Sequence, residues 1–246
     1  MLQNNSDVIG RSDPSTFQRR GRSTVAGMPT DTPTLDTLVE ALVDAFATMT
    51  PDEQHLVLTA YRMLSAGLPV AVDTLASSAG WSVEVVKARL EGWPGGAYLD
   101  EAGRLEGLWG LAVQDVMAHW ATLTGGAKVW FWCALDPMFI LPALGIAGEV
   151  QSVCPTTHQA IRVRVTPAAV AAVEPASTAV SFLLPEDEFT DEVRASFCHF
   201  VSFFASPGAA DEWTAKHPGT FWVPLADAGE GGRRLAARAF SGLAGA

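Results

Sequence analysis

Apolar residues recur every three to four positions between residues 35 and 46, a spacing that places them on one face of a helix. A second helix is predicted to begin at Pro51, with Thr50 as its N-cap and Glu53 completing a capping box. This helix is expected to stop at Gly67, because glycine readily adopts the left-handed conformation that ends a helix.

Residues 69–90 have the pattern of a helix-turn-helix. The turn is predicted at Gly80, and the second helix is predicted to be capped by Ser82. Residues 98–111 follow as a predicted β-hairpin with a turn near residues 100–103. Together these elements resemble a winged-helix module.

A winged helix leaves two alternatives open, DNA binding and a scaffold or interaction role. The second helix of the pair carries Lys87 and Arg89 but also Glu84 and Glu91, which is a poor electrostatic match for phosphates. The whole chain has a formal net charge of −11, whereas nucleic-acid-binding proteins usually present a basic face. We therefore expect no nucleic-acid function and a scaffold role for this part.

Strands alternate with short helices in the second half of the chain. Strands are predicted at residues 129–132, 148–154, 160–165, 179–184 and 197–204, and helices from Ala134 and at residues 166–170, 189–196, 211–217 and 229–246. In the third of these strands Ile161, Val163 and Val165 alternate with arginines, which predicts one buried and one solvated face. Neighbouring strands joined as hairpins predict a small, mostly antiparallel sheet.

The composition indicates a folded protein with a sizeable core. The 246-residue chain is 48% hydrophobic and 17% charged, proportions that argue against wholesale disorder. Residues 1–30 differ, because they are polar and lack periodicity, and Met28 offers an alternative start within them. No run of about 18 uncharged apolar residues is present, so we expect no membrane span.

The three cysteines, Cys133, Cys154 and Cys198, make an odd count without a paired framework. This usage favours free thiols in a reducing compartment, and the cytoplasm is the expected location. None stands in a C-x-x-C pair, and no four-ligand set for zinc is visible. Two thiols from distant segments, brought together with a carboxylate, would instead suit a soft metal ion such as mercury.

The residues best suited to chemistry lie where the predicted strand 129–132 runs into a helix. Cys133 and Asp136 are three positions apart, so they share one side of a helical turn. Pro137 suits a first helical turn, and the helix N-terminus is expected to lower the pKa of the Cys133 thiol. The alternative is an inert buried cysteine beside an aspartate that only complements the helix dipole.

The segment around Cys133 strongly resembles the first active-site motif of organomercurial lyases (alkylmercury lyases). The residues concerned are Trp132-Cys-Ala-Leu-Asp136, followed by Met138-Phe-Ile-Leu-Pro-Ala-Leu-Gly145. Later segments resemble the same family in the same order: Val173-Glu-Pro-Ala176, Val180-Ser-Phe-Leu-Leu-Pro185, Ser196-Phe-Cys-His199, Phe203-Phe-Ala-Ser206 and Glu212-Trp-Thr-Ala-Lys-His217. Several short motifs coincide over roughly residues 35–225, which makes the resemblance specific.

This resemblance implies an enzyme that cleaves carbon–mercury bonds by protonolysis and releases a hydrocarbon and Hg²⁺. Cys133 and Cys198 match the two catalytic thiols and Asp136 the proton-handling carboxylate, so these three are also the implied mercury ligands. Cys154 matches a further cysteine usually treated as structural, and His199 stands where some relatives carry another cysteine. The resemblance implies no organic cofactor, and its implied partners are an organomercurial substrate, cellular thiols and mercuric reductase.

Proton delivery by Asp136 requires an unusual carboxyl group. A solvated aspartate has a pKa of about 3.9 and holds little proton at neutral pH. Burial beside Trp130, Phe131 and Trp132 is predicted to raise the pKa of Asp136.

The pattern and the resemblance together predict an α+β protein in three parts. Residues 1–30 are expected to be a disordered tail, residues 31–115 an N-terminal helical winged-helix-like domain, and residues 116–246 a mixed α/β catalytic, mercury-binding domain. Two alternatives to the lyase stay open, a metal-sensing winged-helix regulator and a mercury-binding protein without turnover. Hydrocarbon release from an organomercurial distinguishes the enzyme from both.

Overall fold

The computed structural model describes residues 33–46, 49–93, 95–116, 118–185, 189 and 193–243, and the tail predicted at residues 1–30 lies outside these residues. The described part opens with helices α1 (Leu35–Ala45), α2 (Pro51–Leu64), α3 (Val72–Ala79) and α4 (Val83–Glu91). The Thr50 N–H donates to Glu53 Oε2 at 2.7 Å, and the Glu53 N–H donates to Thr50 Oγ1 at 3.3 Å. The predicted capping box of α2 is therefore confirmed.

The predicted helix-turn-helix elements and the hairpin are present. Gly80 ends α3 with a φ of 73°, and Ser82 Oγ accepts the Val85 N–H at 3.3 Å where α4 begins. The hairpin consists of β1 (Ala97–Leu99) and β2 (Leu105–Leu108). Both strands belong to the main sheet of the protein, and the likeness to a winged helix stays a prediction.

Within the described residues the main sheet has eight strands in the order β1-β2-β3-β5-β4-β6-β7-β8, with every neighbouring pair antiparallel. Its remaining strands are β3 (Leu111–Ala112), β4 (His119–Leu123), β5 (Lys128–Phe131), β6 (Gly148–Val153), β7 (Ala160–Val165) and β8 (Val170–Glu174). The α+β class is confirmed, but the sheet is larger than predicted and crosses residue 115. Pro33–Ala246 form one compact unit. The division of the chain into two domains at residue 115 stays a prediction.

Strand β7 follows its predicted alternation. Ile161, Val163 and Val165 are each about 1% exposed, whereas Arg162 and Arg164 are solvent-exposed. The arginines form surface ion pairs across the sheet, with Glu174 and Glu149 respectively. Burial of the apolar face fixes the register of β7, since a slip by one residue would expose that face.

A second antiparallel sheet has three strands in the part of the chain that the structure describes, in the order β10-β9-β11. Its strands are β9 (Ala179–Leu183), β10 (Phe203–Phe204) and β11 (Thr220–Pro224), and the later helices are α5 (Asp136–Leu144), α6 (Val193–Ser196), α7 (Pro207–Thr214) and α8 (Leu225–Ala239). The sequence pattern did not predict β4 or β11. None of the helices in the described residues is both long and apolar enough to cross a membrane.

The strand predicted at residues 197–204 is wrong over most of its length. Cys198–Phe200 form a short 3₁₀ helix instead. Of the predicted strand, only Phe203 and Phe204 pair, as β10. The hydroxyl of Ser181 stabilises this departure, because it donates to the Phe200 carbonyl at 2.7 Å and accepts the Ser202 N–H at 3.1 Å. A side chain of β9 thus satisfies backbone groups that a longer strand would have paired.

Two helix predictions also need correction. The helix predicted at residues 166–170 is a turn followed by β8, because Thr166 closes the turn through both its N–H and its hydroxyl to the Ala169 carbonyl. The helix predicted from Ala134 begins two residues later, at Asp136. Residues 133–135 therefore form a bend between β5 and α5.

Helix α5 is held in place by α8. A Cβ atom added to Gly232 would lie 2.6 Å from the Met138 carbonyl oxygen, and one added to Gly229 would lie 2.7 Å from the Val170 side chain. Val170 belongs to β8, so Gly232 permits the close approach between α8 and α5, and Gly229 permits that between α8 and β8. The close packing fixes the position of α5, whose first residue is Asp136.

Candidate active site

Cys133 lies in the bend between β5 and α5, and Asp136 is the first residue of α5. Pro137 occupies the first turn, as predicted. The Cys133 N–H donates to Asp136 Oδ2 at 2.6 Å. The carboxyl thus folds back onto the backbone of the bend, which fixes it next to the thiol three residues earlier.

Cys198 reaches the same place from a distant part of the chain. The 3₁₀ helix that carries it is tied to the bend, because the Ala134 N–H donates to the Val201 carbonyl at 3.0 Å. Ligand atoms of Cys133, Asp136 and Cys198 all lie within 4.8 Å of one another, and all three residues are buried. The structure therefore brings the three predicted site residues together.

The pKa of the Asp136 carboxyl lies near neutral pH. Burial raises its pKa to about 7, against the opposing effect of the hydrogen bond that the Cys133 N–H donates to it. The predicted upward shift is confirmed. A group with this pKa can both accept and deliver a proton at neutral pH.

The prediction of a lowered pKa for the Cys133 thiol is wrong. Burial raises this pKa well above its usual value, with further increases from the neighbouring Cys198 thiol and the negative charge of Asp136. The Leu135 N–H lowers it only in part. Cys133 precedes α5 and is almost fully buried. The effect of burial on its pKa exceeds that of the helix N-terminus, so the thiol is neutral in the mercury-free protein.

A pocket with about 330 Å³ of empty space, part of it open to solvent, reaches this cluster. Apart from Asp136, Cys198 and Gly110, its lining is apolar: Phe46, Trp109, Trp132, Leu135, Phe189, Val193 and Phe197. Gly110 has a φ of 102°, and a Cβ atom there would lie 2.5 Å from Asp136 Oδ1. Sequence reasoning missed Trp109 and Gly110, although a glycine inside a predicted hairpin is a sign of close backbone approach.

Cys154 and His199 lie apart from the cluster. Cys154 is buried where β6 ends, and its Sγ accepts the Thr157 N–H at 3.5 Å. His199 is exposed, and its ring packs edge-on against Phe200 at 5.3 Å between centroids. Neither residue belongs to the group of converging ligand atoms found among the described residues.

The fold and this site define an α+β protein with a buried centre of two thiols and one carboxyl. The sequence profile of the alkylmercury lyase (MerB) family matches residues 114–237. An alkylmercury lyase of Pseudomonas putida is 39% identical over 173 residues, which cover 70% of this chain and 79% of that protein. One from Bacillus cereus is 35% identical over 177 residues, covering 72% and 78% of the two chains. The chain belongs to the alkylmercury lyase family.

A solved structure has the same fold. The crystal structure of the mercury-bound form of MerB2 aligns with a TM-score of 0.64 over 83% of this chain and 98% of that chain. The two sequences are 20% identical in this alignment, so the likeness concerns the fold alone.

Proposed function

We propose that this protein is an organomercurial lyase, which cleaves the carbon–mercury bond by protonolysis and releases a hydrocarbon and Hg²⁺. The observation that carries the proposal is the convergence of two thiols and a carboxyl within 4.8 Å of one another. Thiolate sulfur is the ligand that soft metal ions prefer. The apolar lining of the pocket suits the organic group of such a substrate.

The first step is capture of the substrate by one thiol. A sulfur lone pair of Cys133 or Cys198 forms a bond to the mercury of R–Hg⁺, and the thiol loses its proton. Asp136 is the acceptor within reach, because its ligand atom lies within 4.8 Å of both sulfurs. Burial raises its pKa to about 7, so a substantial fraction of the molecules carries the anionic, proton-accepting form at neutral pH.

The second step is cleavage. Loss of the second thiol proton lets the other sulfur bind mercury, which raises the electron density on the bound carbon. Asp136 then delivers its proton to that carbon, and the pair of electrons of the carbon–mercury bond becomes the new carbon–hydrogen bond. Overall, R–Hg⁺ and two thiols give R–H, a mercury dithiolate and one released proton, so no oxidant or organic cofactor takes part.

Release of Hg²⁺ requires competing sulfur ligands, because two protein thiolates hold the ion. We propose cellular thiols as the first acceptors, with mercuric reductase as a further recipient, in the cytoplasm. The helix-turn-helix segment and the β1–β2 hairpin form a winged-helix-like scaffold in this proposal. They act by supporting the sheet that carries the site, with no role in binding DNA.

The experiment is hydrocarbon release from phenylmercury or methylmercury in the presence of excess small thiol. Benzene or methane is expected at a rate above that of thiol alone, with one atom of deuterium per molecule in D₂O. Binding of mercury without hydrocarbon release would refute the enzyme and leave a sensor or a mercury-binding protein. Heat-denatured protein at the same thiol concentration serves as the control.

A further inference from the structure

The turn between β2 and β3 has an unusual backbone. It consists of Trp109 and Gly110, with φ values of 34° and 102°, and we refer to it as the Trp109–Gly110 turn. Positive φ at both central residues matches a two-residue hairpin turn of the primed type. A tryptophan at positive φ is uncommon and persists only where surrounding contacts hold it.

The contacts that hold this turn come from three separate elements. The Tyr61 hydroxyl of α2 donates to the Trp109 carbonyl at 2.8 Å. The Trp109 N–H donates to the Gly96 carbonyl at 2.8 Å, and the Trp132 N–H donates to the Gly110 carbonyl at 3.0 Å. Of these three bonds, only the one from Tyr61 uses a side chain, so substitution can remove it without altering the backbone.

The same turn lies directly against the Asp136 carboxyl. Gly110 leaves no room for a side chain, because a Cβ atom would meet Asp136 Oδ1 at 2.5 Å and Oδ2 at 3.1 Å. The same carboxyl accepts the Cys133 N–H through Oδ2 at 2.6 Å. The Asp136 carboxyl therefore lies against both the bend and the turn, and its orientation depends on the position of the turn.

We propose that Tyr61 is a positioning residue for carbon–mercury cleavage: its hydroxyl fixes the Trp109–Gly110 turn, and the turn fixes the orientation of the Asp136 carboxyl towards the two thiols. This inference rests on the proposed lyase function. Tyr61 is 1% exposed, and burial, followed by the negative charge of Asp136, raises the pKa of its phenol. The hydroxyl therefore stays protonated and remains a donor at neutral pH.

The test separates mercury capture from cleavage in Tyr61→Phe, which keeps the ring in the core and removes one hydroxyl. Single-turnover release of benzene from phenylmercury is expected to slow roughly threefold to tenfold, the scale for loss of one buried hydrogen bond. Affinity for Hg²⁺ is expected to stay within about twofold, because both thiols are untouched. Tyr98→Phe, which removes the hydroxyl of the other tyrosine, is the matched control and is expected to behave as wild type.

A second pair of variants tests the turn itself. Gly110→Ala is expected to slow cleavage roughly a hundredfold, since a small misplacement of a reacting group can cost that much. Gly103→Ala is the matched control, because Gly103 also has a positive φ, 73°, but nothing lies within 4 Å of its added Cβ. Both variants carry the backbone strain, and only Gly110→Ala displaces the carboxyl.

Backbone hydrogen exchange supplies a readout that needs no substrate. In Tyr61→Phe the Trp109 and Trp132 N–H groups are expected to exchange roughly tenfold faster, because the turn opens more often. Unchanged exchange together with wild-type cleavage overturns the inference, and so does an equal loss of mercury capture and cleavage. If the wild-type protein releases no hydrocarbon, the proposed function fails first and the role of Tyr61 fails with it.

Discussion

Asp136→Asn is expected to stabilise the mercury-free protein at alkaline pH and to leave its stability nearly unchanged at acidic pH. Burial raises the pKa of Asp136 from 3.8 to about 7, so the folded protein binds this proton more tightly than the unfolded chain does. Between these two pKa values the folded state carries more protons, and its free energy of unfolding falls as the pH rises. Asparagine has no proton to lose and escapes this penalty.

The size of the effect follows from the shift in pKa. The difference between 3.8 and about 7 is about three units, and each unit corresponds to about 1.4 kcal/mol. The stabilisation by asparagine is therefore expected to approach about 4 kcal/mol above pH 8 and to fall to about 0.5 kcal/mol near pH 4. The amide keeps an oxygen that can accept the Cys133 N–H, so the local hydrogen bond at 2.6 Å has a replacement.

Urea denaturation of both proteins at pH 4.5 and pH 8.5, with reduced thiols, measures this difference. Asp227→Asn is the matched control, because Asp227 also lies in the first turn of a helix but is exposed to water. Its effect on the free energy of unfolding is expected to be small at both pH values, because its side chain is solvated. A constant difference between wild type and Asp136→Asn at the two pH values would show that the buried carboxyl carries no such cost.

Three further predictions concern the thiols, the acid and the helix packing. Cys133→Ser and Cys198→Ser are each expected to abolish hydrocarbon release in the phenylmercury assay, and turnover near wild type in either one contradicts the paired-thiol mechanism. Asp136→Ala is expected to retain binding of Hg²⁺ by equilibrium dialysis but to lose most cleavage, and rapid cleavage would remove its proton role. Gly232→Ala is expected to lower the free energy of unfolding by about 1–3 kcal/mol in urea, because a Cβ atom would lie 2.6 Å from the Met138 carbonyl. Gly208→Ala, at a helical glycine with nothing within 4 Å, is the control and is expected to be neutral or slightly stabilising.

Local features of the fold were predictable where the chain itself supplies both partners of an interaction. The capping box of Thr50 and Glu53 needs only residues three positions apart, and the structure has it. The alternation of Ile161 and Val163 with exposed arginines is likewise a property of a single strand. Such patterns distinguish helices from strands, because the spacing of the apolar residues along an element matches the geometry of its buried face.

Features that depend on distant contacts were not predictable in this way. The segment of Cys198 has the alternation of a strand, but the Ser181 hydroxyl on a neighbouring strand stabilises a 3₁₀ helix there. The pKa of Cys133 was predicted in the wrong direction, because burial and the charge of Asp136 outweigh the helix terminus. Gly110 escaped notice because its role is to make room for a carboxyl 26 positions later in the chain.

The meeting of Cys133 with Cys198 was predicted only through the resemblance to a family. Nothing in spacing or periodicity pairs two cysteines that lie 65 positions apart. The backbone bond from Ala134 to Val201, at 3.0 Å, is one physical link between their segments. Such a bond depends on the packing of the second sheet and leaves no trace in the local sequence.

X-ray absorption at the mercury edge tests the central claim most directly, on protein loaded with one equivalent of Hg²⁺ and freed of small thiols. The account predicts two sulfur neighbours in the wild-type protein and one in both Cys133→Ser and Cys198→Ser. Two sulfur neighbours that persist in either variant would mean that mercury is held elsewhere, and they would contradict a site built from Cys133, Cys198 and Asp136.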